Sequence, residues 1–471
     1  VSIGNGHGER RDEAKVTAPH VLAEAARDVL EGFRRAHPSL EAELFVVVEG
    51  KLTLELEAAT GAFAASQGVA CSVAARVWDA QSRGFVSGPV RGREDLERWL
   101  DAAVRGVAAG SRPPPIGFLT VTPLPAWKWE PSVERARSEA ARLVRTVVPS
   151  GTVVQALVST HRTTWSALLR SSGGVVAHVE DREEAFVRCE TSRGAVVDAV
   201  ARAPGQDALE LESLRERLLE AVAALEAPAK PRARDSATSL MEAPALLSSS
   251  EEPVSEVADP TLPLVLRPAV AAPLVAGLSW LLRGDVAAAT PGLARAVGKK
   301  AFPSVLSVED DPLHPQGTRR REWDDEGREA RAVRLVDEGR LLGFLHSEQT
   351  ATRLGAQPCG RGLREGASEP SATALNFFIV PRGDALPAHY TELVARVETF
   401  TTMPRPGRVS LIAGGWEVRE GRRVRRIAPM SLELPVLETF RALRGVGADL
   451  TFFPTAEGCG TPTLVLPPPS E

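Results

Sequence analysis

The residues that most constrain how this chain can fold are 304–355, SVLSVEDDPLHPQGTRRREWDDEGREARAVRLVDEGRLLGFLHSEQTATRLG. They hold a run of acids ending in proline, Glu309-Asp310-Asp311-Pro312, and a second acidic turn, Trp323-Asp324-Asp325-Glu326-Gly327. An alternating segment at 332–335 and an apolar one at 341–345 flank Asp337-Glu338-Gly339-Arg340. Two such runs around a polar, glycine-containing turn predict a β-hairpin. Helix-favouring residues follow at 347–354, with Ser347 placed as an N-cap and Gly355 just past the end.

A chain of 471 residues allows two to three domains. Its formal net charge of -5 lacks the basic excess of a nucleic-acid binder. The four cysteines, Cys71, Cys189, Cys359 and Cys459, are far apart and form no CxxC pair. They read as dispersed thiols in a reducing compartment rather than a disulfide framework. The polar opening VSIGNGHGERRDEAK lacks the apolar core of a signal peptide. No apolar run reaches the ~18 residues of a membrane span, so the expectation is a cytoplasmic protein with no membrane and no nucleic-acid partner.

Residues 1–19 read as disordered. Helical spacing marks 21–33, 94–109, 133–147 and 211–225. Residues 44–48 and 52–56, around Glu49-Gly50-Lys51, predict a hairpin. Further short strands are expected at 69–77, 84–86, 153–159, 163–170, 175–179 and 185–190. The proline-rich residues 111–131, with Trp127 and Trp129, read as a rigid connector carrying half-buried tryptophans, with a peptide-contact loop as the alternative. A composition shift to Pro, Ala, Ser and acids over 229–263 reads as a linker or surface loop. The second unit begins with a strand at 264–266 and an apolar helix at 270–282. Helices at 386–397 and 437–443 and strands at 374–380, 408–412, 416–420, 422–427, 450–453 and 463–466 complete it. The fold class is therefore α+β in two domains: 20–228 with helices and antiparallel strands, and 264–471, mainly antiparallel β with a few helices.

Chemistry is sparse. None of the eight histidines pairs with another at helical or hairpin spacing. His314 and His346, with Asp310 and Asp311, could assemble a hydrolytic metal site, but a zinc site needs three or four converging ligands. Solvated loop residues are the plainer reading. No HExxH, Walker loop or GxSxG elbow occurs. Ser171-Ser172-Gly173-Gly174 reads as a turn between strands. Cys459, between Gly458 and Gly460, has no nameable base. Arg319-Arg320-Arg321 and the basic run 419–426 read as solvated strand faces, with an acidic partner surface second.

The block 304–355 resembles the central signature of the TldD/PmbA family. The matching positions are Asp310, Asp311 and Pro312; Asp324 or Asp325, Glu326 and Gly327; Gly339, Leu341, Gly343 and Leu345; and Thr350, Ala351, Leu354 and Gly355. Asn376, Pro381, Gly383, Leu393, the Gly415-Trp416-Glu417 segment and the terminal Gly458-Cys459-Gly460-Thr461-Pro462-Thr463 fit too. The resemblance covers most of 264–466 and is looser over 20–226.

That family has two kinds of subunit, and the resemblance implies what each carries. The TldD kind resembles a zinc peptidase, with HExxxH on a helix and a cysteine near the C-terminus. The PmbA kind, also called TldE, lacks these ligands and pairs with the first. Here the motif helix is 271–285, anchored by Gly284-Asp285, and the His, Glu and His positions hold Val275, Ala276 and Trp280. Cys459 falls beyond where the ligand cysteine should be. The resemblance therefore implies a PmbA/TldE-like subunit without a cofactor of its own, zinc being expected only in a TldD-like partner, and an extended peptide as substrate. Isolated peptidase activity is not expected, and a homodimer is the expectation where no partner exists. A metal-dependent hydrolase in its own right, and a stand-alone peptide-binding scaffold, are the alternatives.

Overall fold

A computed structural model describes residues 18–57, 61–109, 121–191, 196–204, 209, 211–225, 257–397, 407–453 and 458–469. The expected disordered start, most of the linker at 229–263 and part of the proline-rich connector lie outside these residues.

The first half runs α1 (Pro19–Ala36), β1 (Glu41–Glu57), β2 (Ala62–Trp78), β3 (Ser82–Pro89), α2 (Arg93–Arg105), β4 (Ala108–Ala109), α3 (Val133–Val147), β5 (Thr152–Arg170), β6 (Val175–Thr191), β7 (Val196–Pro204) and α4 (Leu211–Leu225). The strands form one antiparallel sheet in the order β4-β3-β2-β1-β5-β6-β7.

Several short strands expected from the sequence are in fact long ones. β1 runs straight through Glu49-Gly50-Lys51, paired with β2 on one side and β5 on the other. β5 likewise joins 153–159 to 163–170, and β6 joins 175–179 to 185–190. The polar middles misled the reading. Thr160, His161 and Arg162 of β5 face Glu184, Glu183 and Arg182 of β6 in turn, so a polar belt crosses the sheet and separates two apolar ends. One end packs under α1 and α2, with Leu44, Val46 and Val48 beneath. The other packs under α3 and α4, with Leu54, Leu157 and Val187 beneath. A period-2 pattern interrupted by charges looks like a turn in one dimension, yet each belt residue still has hydrogen-bonded neighbours on both sides.

Gly50 is a seat and not a turn. A Cβ there would strike the ring of Trp129, which crosses the belt between the two helix pairs. Trp129 meets His161 edge-on at 5.5 Å and Trp127 at 6.4 Å, both tryptophans half-buried as expected.

The second half continues β8 (Leu264–Leu266), α5 (Pro268–Leu281), α6 (Gly284–Ala289), α7 (Pro291–Ala294), β9 (Val308–Asp310), β10 (Val333–Asp337), β11 (Arg340–Leu341), α8 (Glu348–Leu354), β12 (Gly362–Leu363), β13 (Ser371–Ala372), β14 (Phe377–Ile379) and β15 (His389–Arg396). It closes with β16 (Arg408–Arg419), β17 (Arg422–Pro435), α9 (Val436–Arg441), β18 (Gly445–Val446), β19 (Thr451–Phe452), β20 (Gly460–Thr461) and β21 (Leu464–Leu466). Two sheets of six strands result, β11-β10-β9-β14-β20-β19 and β17-β16-β15-β8-β21-β18, mostly antiparallel. The whole is an α+β protein of two domains.

The hairpin at 333–341 forms as read, although its second strand stops at Leu341. Ser347 caps α8 by accepting from Thr350 N at 3.3 Å, and Gly355 ends it in the left-handed region at φ 65. One expectation fails outright: 386–397 is no helix but β15. Its Glu, Leu, Ala and Arg favour helix weakly. The strand lies in mid-sheet between β8 and β16, with Tyr390 to Arg396 buried, and that pairing overrides propensity.

Gly50→Val should dislodge Trp129. Repacking costs about 1–3 kcal/mol, more than the gain in strand propensity of at most ~1 kcal/mol. The urea midpoint should fall and tryptophan emission shift to the red; an unchanged or raised midpoint contradicts this role for the glycine.

Candidate functional site

α5 lies between the two six-stranded sheets and is apolar on every side, as a fully buried helix must be. Pro268 starts it. Pro273, inside it, has no N–H to offer the Ala269 carbonyl. Arg396 from β15 supplies the missing donor, Nε to Ala269 O at 2.7 Å. Of the three motif positions, Val275 is fully buried, packed in one core with Leu278, Phe377 and Cys459. Ala276 and Trp280, one helical turn apart, pack half-buried against that core. None of the three side chains carries an atom that can ligate zinc at neutral pH or take a proton from water, and Cys459 is spent inside the apolar core. This helix does not fit a zinc ion.

The signature acids have structural partners. Asp310, with no exposure, accepts from Asn376 N at 2.7 Å and from Leu375 N at 3.1 Å, and pairs with the equally buried Arg361. Arg361 further donates to the carbonyls of Cys359, Gly360, Asp310 and Arg331. Asp311 accepts from Leu313 N at 2.9 Å, closing the turn that Pro312 stiffens. Asn376 donates to Asp311 O and Arg319 O and accepts from Arg319 N. In the second acidic turn, Asp324 accepts from the backbone of Glu326, Arg328 and Gly362. Asp325 accepts from Arg321 Nη1 and Arg364 N, both at 2.8 Å. Glu326 accepts from Glu348 N at 2.7 Å, and Gly327 takes φ 80. Thr350 donates to Ser347 O. Gly343 has open space where a Cβ would go, so nothing in the structure explains it.

These turns face the first domain through buried charge. Glu43 of β1 meets Arg76 of β2 at 2.8 Å, Arg170 of β5 at 3.2 Å and Arg364 of the second domain at 2.8 Å. Burial would raise the Glu43 carboxyl, but those three guanidiniums outweigh it and hold it down at about 2. Glu180 of β6 pairs with Arg182 beside it, with Arg319 at 3.6 Å and with Arg321 at 3.5 Å. Burial opposes its ionisation too; Arg319, Arg321 and Arg182 keep it well below the usual range. Arg319 and Arg321, expected on a solvated face, are thus drawn into the contact between domains. Arg423 and Arg425, expected likewise, reach Glu392 and Glu417.

Asp324, Glu326 and Glu348 form the counterpart. Burial pushes the Asp324 carboxyl upward against the backbone donors of Arg328 and Gly362, and repulsion from Asp325 adds to it. Burial and then repulsion from Asp324 and Glu348 push Glu326 upward; burial does the same to Glu348 against Arg170 and Arg328.

The residues of the alternative metal site do not converge. Asp310 is occupied as above, the His314 ring sits against Phe378 and Phe452 at 4.9 and 4.8 Å, and His346 Nδ1 faces Thr350 Oγ1 at 3.3 Å. Among the described residues no three His, Cys, Asp or Glu side chains are placed to hold a metal ion. No disulfide joins the four cysteines, all of them described. No described helix is long and apolar enough to cross a membrane. Sequence reading found the acids but missed their inter-domain partners Glu43, Arg76 and Arg170, whose one signal was charge inside apolar strands.

Comparison with known proteins follows the same lines. Residues 260–468, which hold α5 and the Asp310 and Asp324–Gly327 turns, match the PmbA/TldA metallopeptidase C-terminal domain. That match places the C-terminal domain, a little under half of the chain, in the TldD/PmbA family. A metalloprotease of Synechocystis is 22% identical over 225 residues, 45% of this chain and 48% of that protein. One from Methanothermobacter thermautotrophicus is 27% identical over 163 residues, 32% of this chain and 35% of that protein. The chain thus spans half or less of the length of these relatives. The whole fold resembles the crystal structure of a Thermotoga maritima protein described as a proposed modulator of a DNA gyrase (TM-score 0.72, 15% identity, 94% of this chain and 99% of that one). It also resembles TldE from Thermococcus kodakarensis (TM-score 0.69, 17% identity, 94% and 98%).

Two measurements probe this site. Arg396→Met keeps the buried stem but strips the donor from Ala269 O, and should cost about 1–3 kcal/mol in urea denaturation. Adding Pro273→Ala restores a backbone donor and should recover part of the loss; strict additivity would contradict the pairing. Glu326→Gln keeps an acceptor for Glu348 N–H. Wild-type Glu326 stays protonated in the folded chain while the unfolded chain ionises above 4.5, so stability falls as pH rises from there. The variant should lose less stability than wild type between about pH 5 and about pH 8; an equal or steeper fall contradicts the burial argument.

Proposed function

We propose that this chain is a non-catalytic, PmbA/TldE-like subunit that pairs with a TldD-like zinc peptidase in the cytoplasm and helps hold an unfolded peptide in extended form. The observation that carries the reading is α5, where Val275, Ala276 and Trp280 occupy the HExxxH positions and pack as core. A zinc-bound water needs ligand nitrogens and a nearby base, and this helix offers apolar carbon and an indole. The fold likeness to a solved TldE supports the same assignment. Zinc then belongs to the partner, no nucleic acid or membrane is engaged, and a homodimer forms where no catalytic partner is present. A hydrolase built on Asp310, Asp311, His314 and His346 draws no support, because Asp310 is consumed by Arg361 and the two histidines face different neighbours.

Co-expression with a TldD-like protein encoded in the same genome tests the proposal. The two should copurify, zinc should track the TldD-like chain, and peptide cleavage should require both. Stoichiometric zinc in the isolated chain, together with chelator-sensitive cleavage of casein by it alone, would overturn the reading.

A further inference from the structure

A cavity of about 800 Å³ opens between the C-terminal half of α1 and the turn joining β5 to β6. That volume lies within the ~300–1,000 Å³ of small-ligand sites. Its floor is apolar: Leu30, Leu169 and Val175 are each at most 5% exposed. Its rim carries Arg27, Arg34 and Arg35, all exposed. No salt bridge or side-chain hydrogen bond engages these three among the described residues, although Glu31 stands on the same rim. The rim is thus net cationic on a chain whose overall charge is -5.

Two blander explanations fall short. The helix dipole favours cations in a last turn, which accounts for Arg34 and Arg35 but not for Arg27, two turns earlier. Residues 110–120, which lead to Val121 on the cavity wall, contain no acid and supply no countercharge.

The spacing narrows the ligand. Arg27 and Arg34 are seven residues apart, about 10 Å along one helix face. An extended chain covers that in about three residues, at ~3.3 Å each. An apolar floor under two cationic points so separated suits side chains alternating between acid and aliphatic. We propose that this cavity binds an acidic peptide segment in extended form, its carboxylates on Arg27 and on Arg34 with Arg35. The choice of a peptide over a small dianion rests on the reading of this chain as a peptide-handling subunit; the site itself needs no partner.

The test uses the full chain alone, so its failure leaves copurification with a TldD-like protein unaffected. Fluorescence anisotropy would follow a labelled peptide in which glutamate alternates with alanine or leucine, its glutamine counterpart, and competition by inorganic phosphate. The acidic peptide should bind, weaken as salt rises, and lose roughly tenfold or more in affinity in the double variant Arg34→Gln, Arg35→Gln. Circular dichroism should show the variant folded, since both side chains are exposed. Arg27→Gln should weaken binding as well, which a contribution from the last helical turn alone would not produce. Equal binding of the glutamine peptide, undiminished binding by the folded double variant, or full displacement by phosphate at the peptide's own concentration would each overturn the proposal.

Discussion

The contact between the domains depends on buried charge that neither could afford alone. Glu43 sits in the middle of a sheet, surrounded by Arg76 and Arg170 of its own domain and by Arg364 of the other. Taking such ions out of water costs several kcal/mol each, recovered only when geometry and hydrogen bonding are complete. Removing one partner from a buried pair typically costs about 3–5 kcal/mol. Arg170 also donates to Glu326 O at 2.9 Å, and Arg364 N reaches Asp325. The acidic turns therefore cannot shift without unpairing charges in the first domain.

This arrangement explains the acids of residues 304–355 as structural acceptors. Asp310, Asp311, Asp324 and Asp325 accept backbone N–H groups in a stretch with little regular secondary structure. Buried backbone donors must find acceptors somewhere, and here carboxylates replace the missing strand partners. Arg361 performs the inverse task, donating to four carbonyls while neutralising Asp310. α5 follows the same economy: where a peptidase helix would show ligands, this one packs apolar carbon, and its one irregularity, Pro273, is compensated by Arg396.

Local signals read well. Ser347 and Gly355 bound α8 because a cap and a left-handed terminus are set by residues within a few positions of one another. The helices at 133–147 and 211–225 and the strand at 264–266 fall where their periodicity puts them. Length and partnership read poorly. β1, β5 and β6 looked like pairs of short strands because their charged middles resemble turns, and β15 looked like a helix because its mid-sheet position is invisible in its composition.

The sequence by itself determined the family resemblance of the second domain, the α+β class, the turns of 304–355 and the apolar character of the motif helix, since each depends on neighbouring residues or on side-chain type alone. Only the tertiary structure decided that the charged belts continue as strands, that the half-buried Arg319 and the buried Arg321 meet Glu180, and that Glu43 collects three guanidiniums from two domains. Those outcomes rest on pairs from tens to hundreds of residues apart, such as His161 with Glu183 and Glu43 with Arg364, and whether a charge is solvated or buried depends on what the fold brings over it.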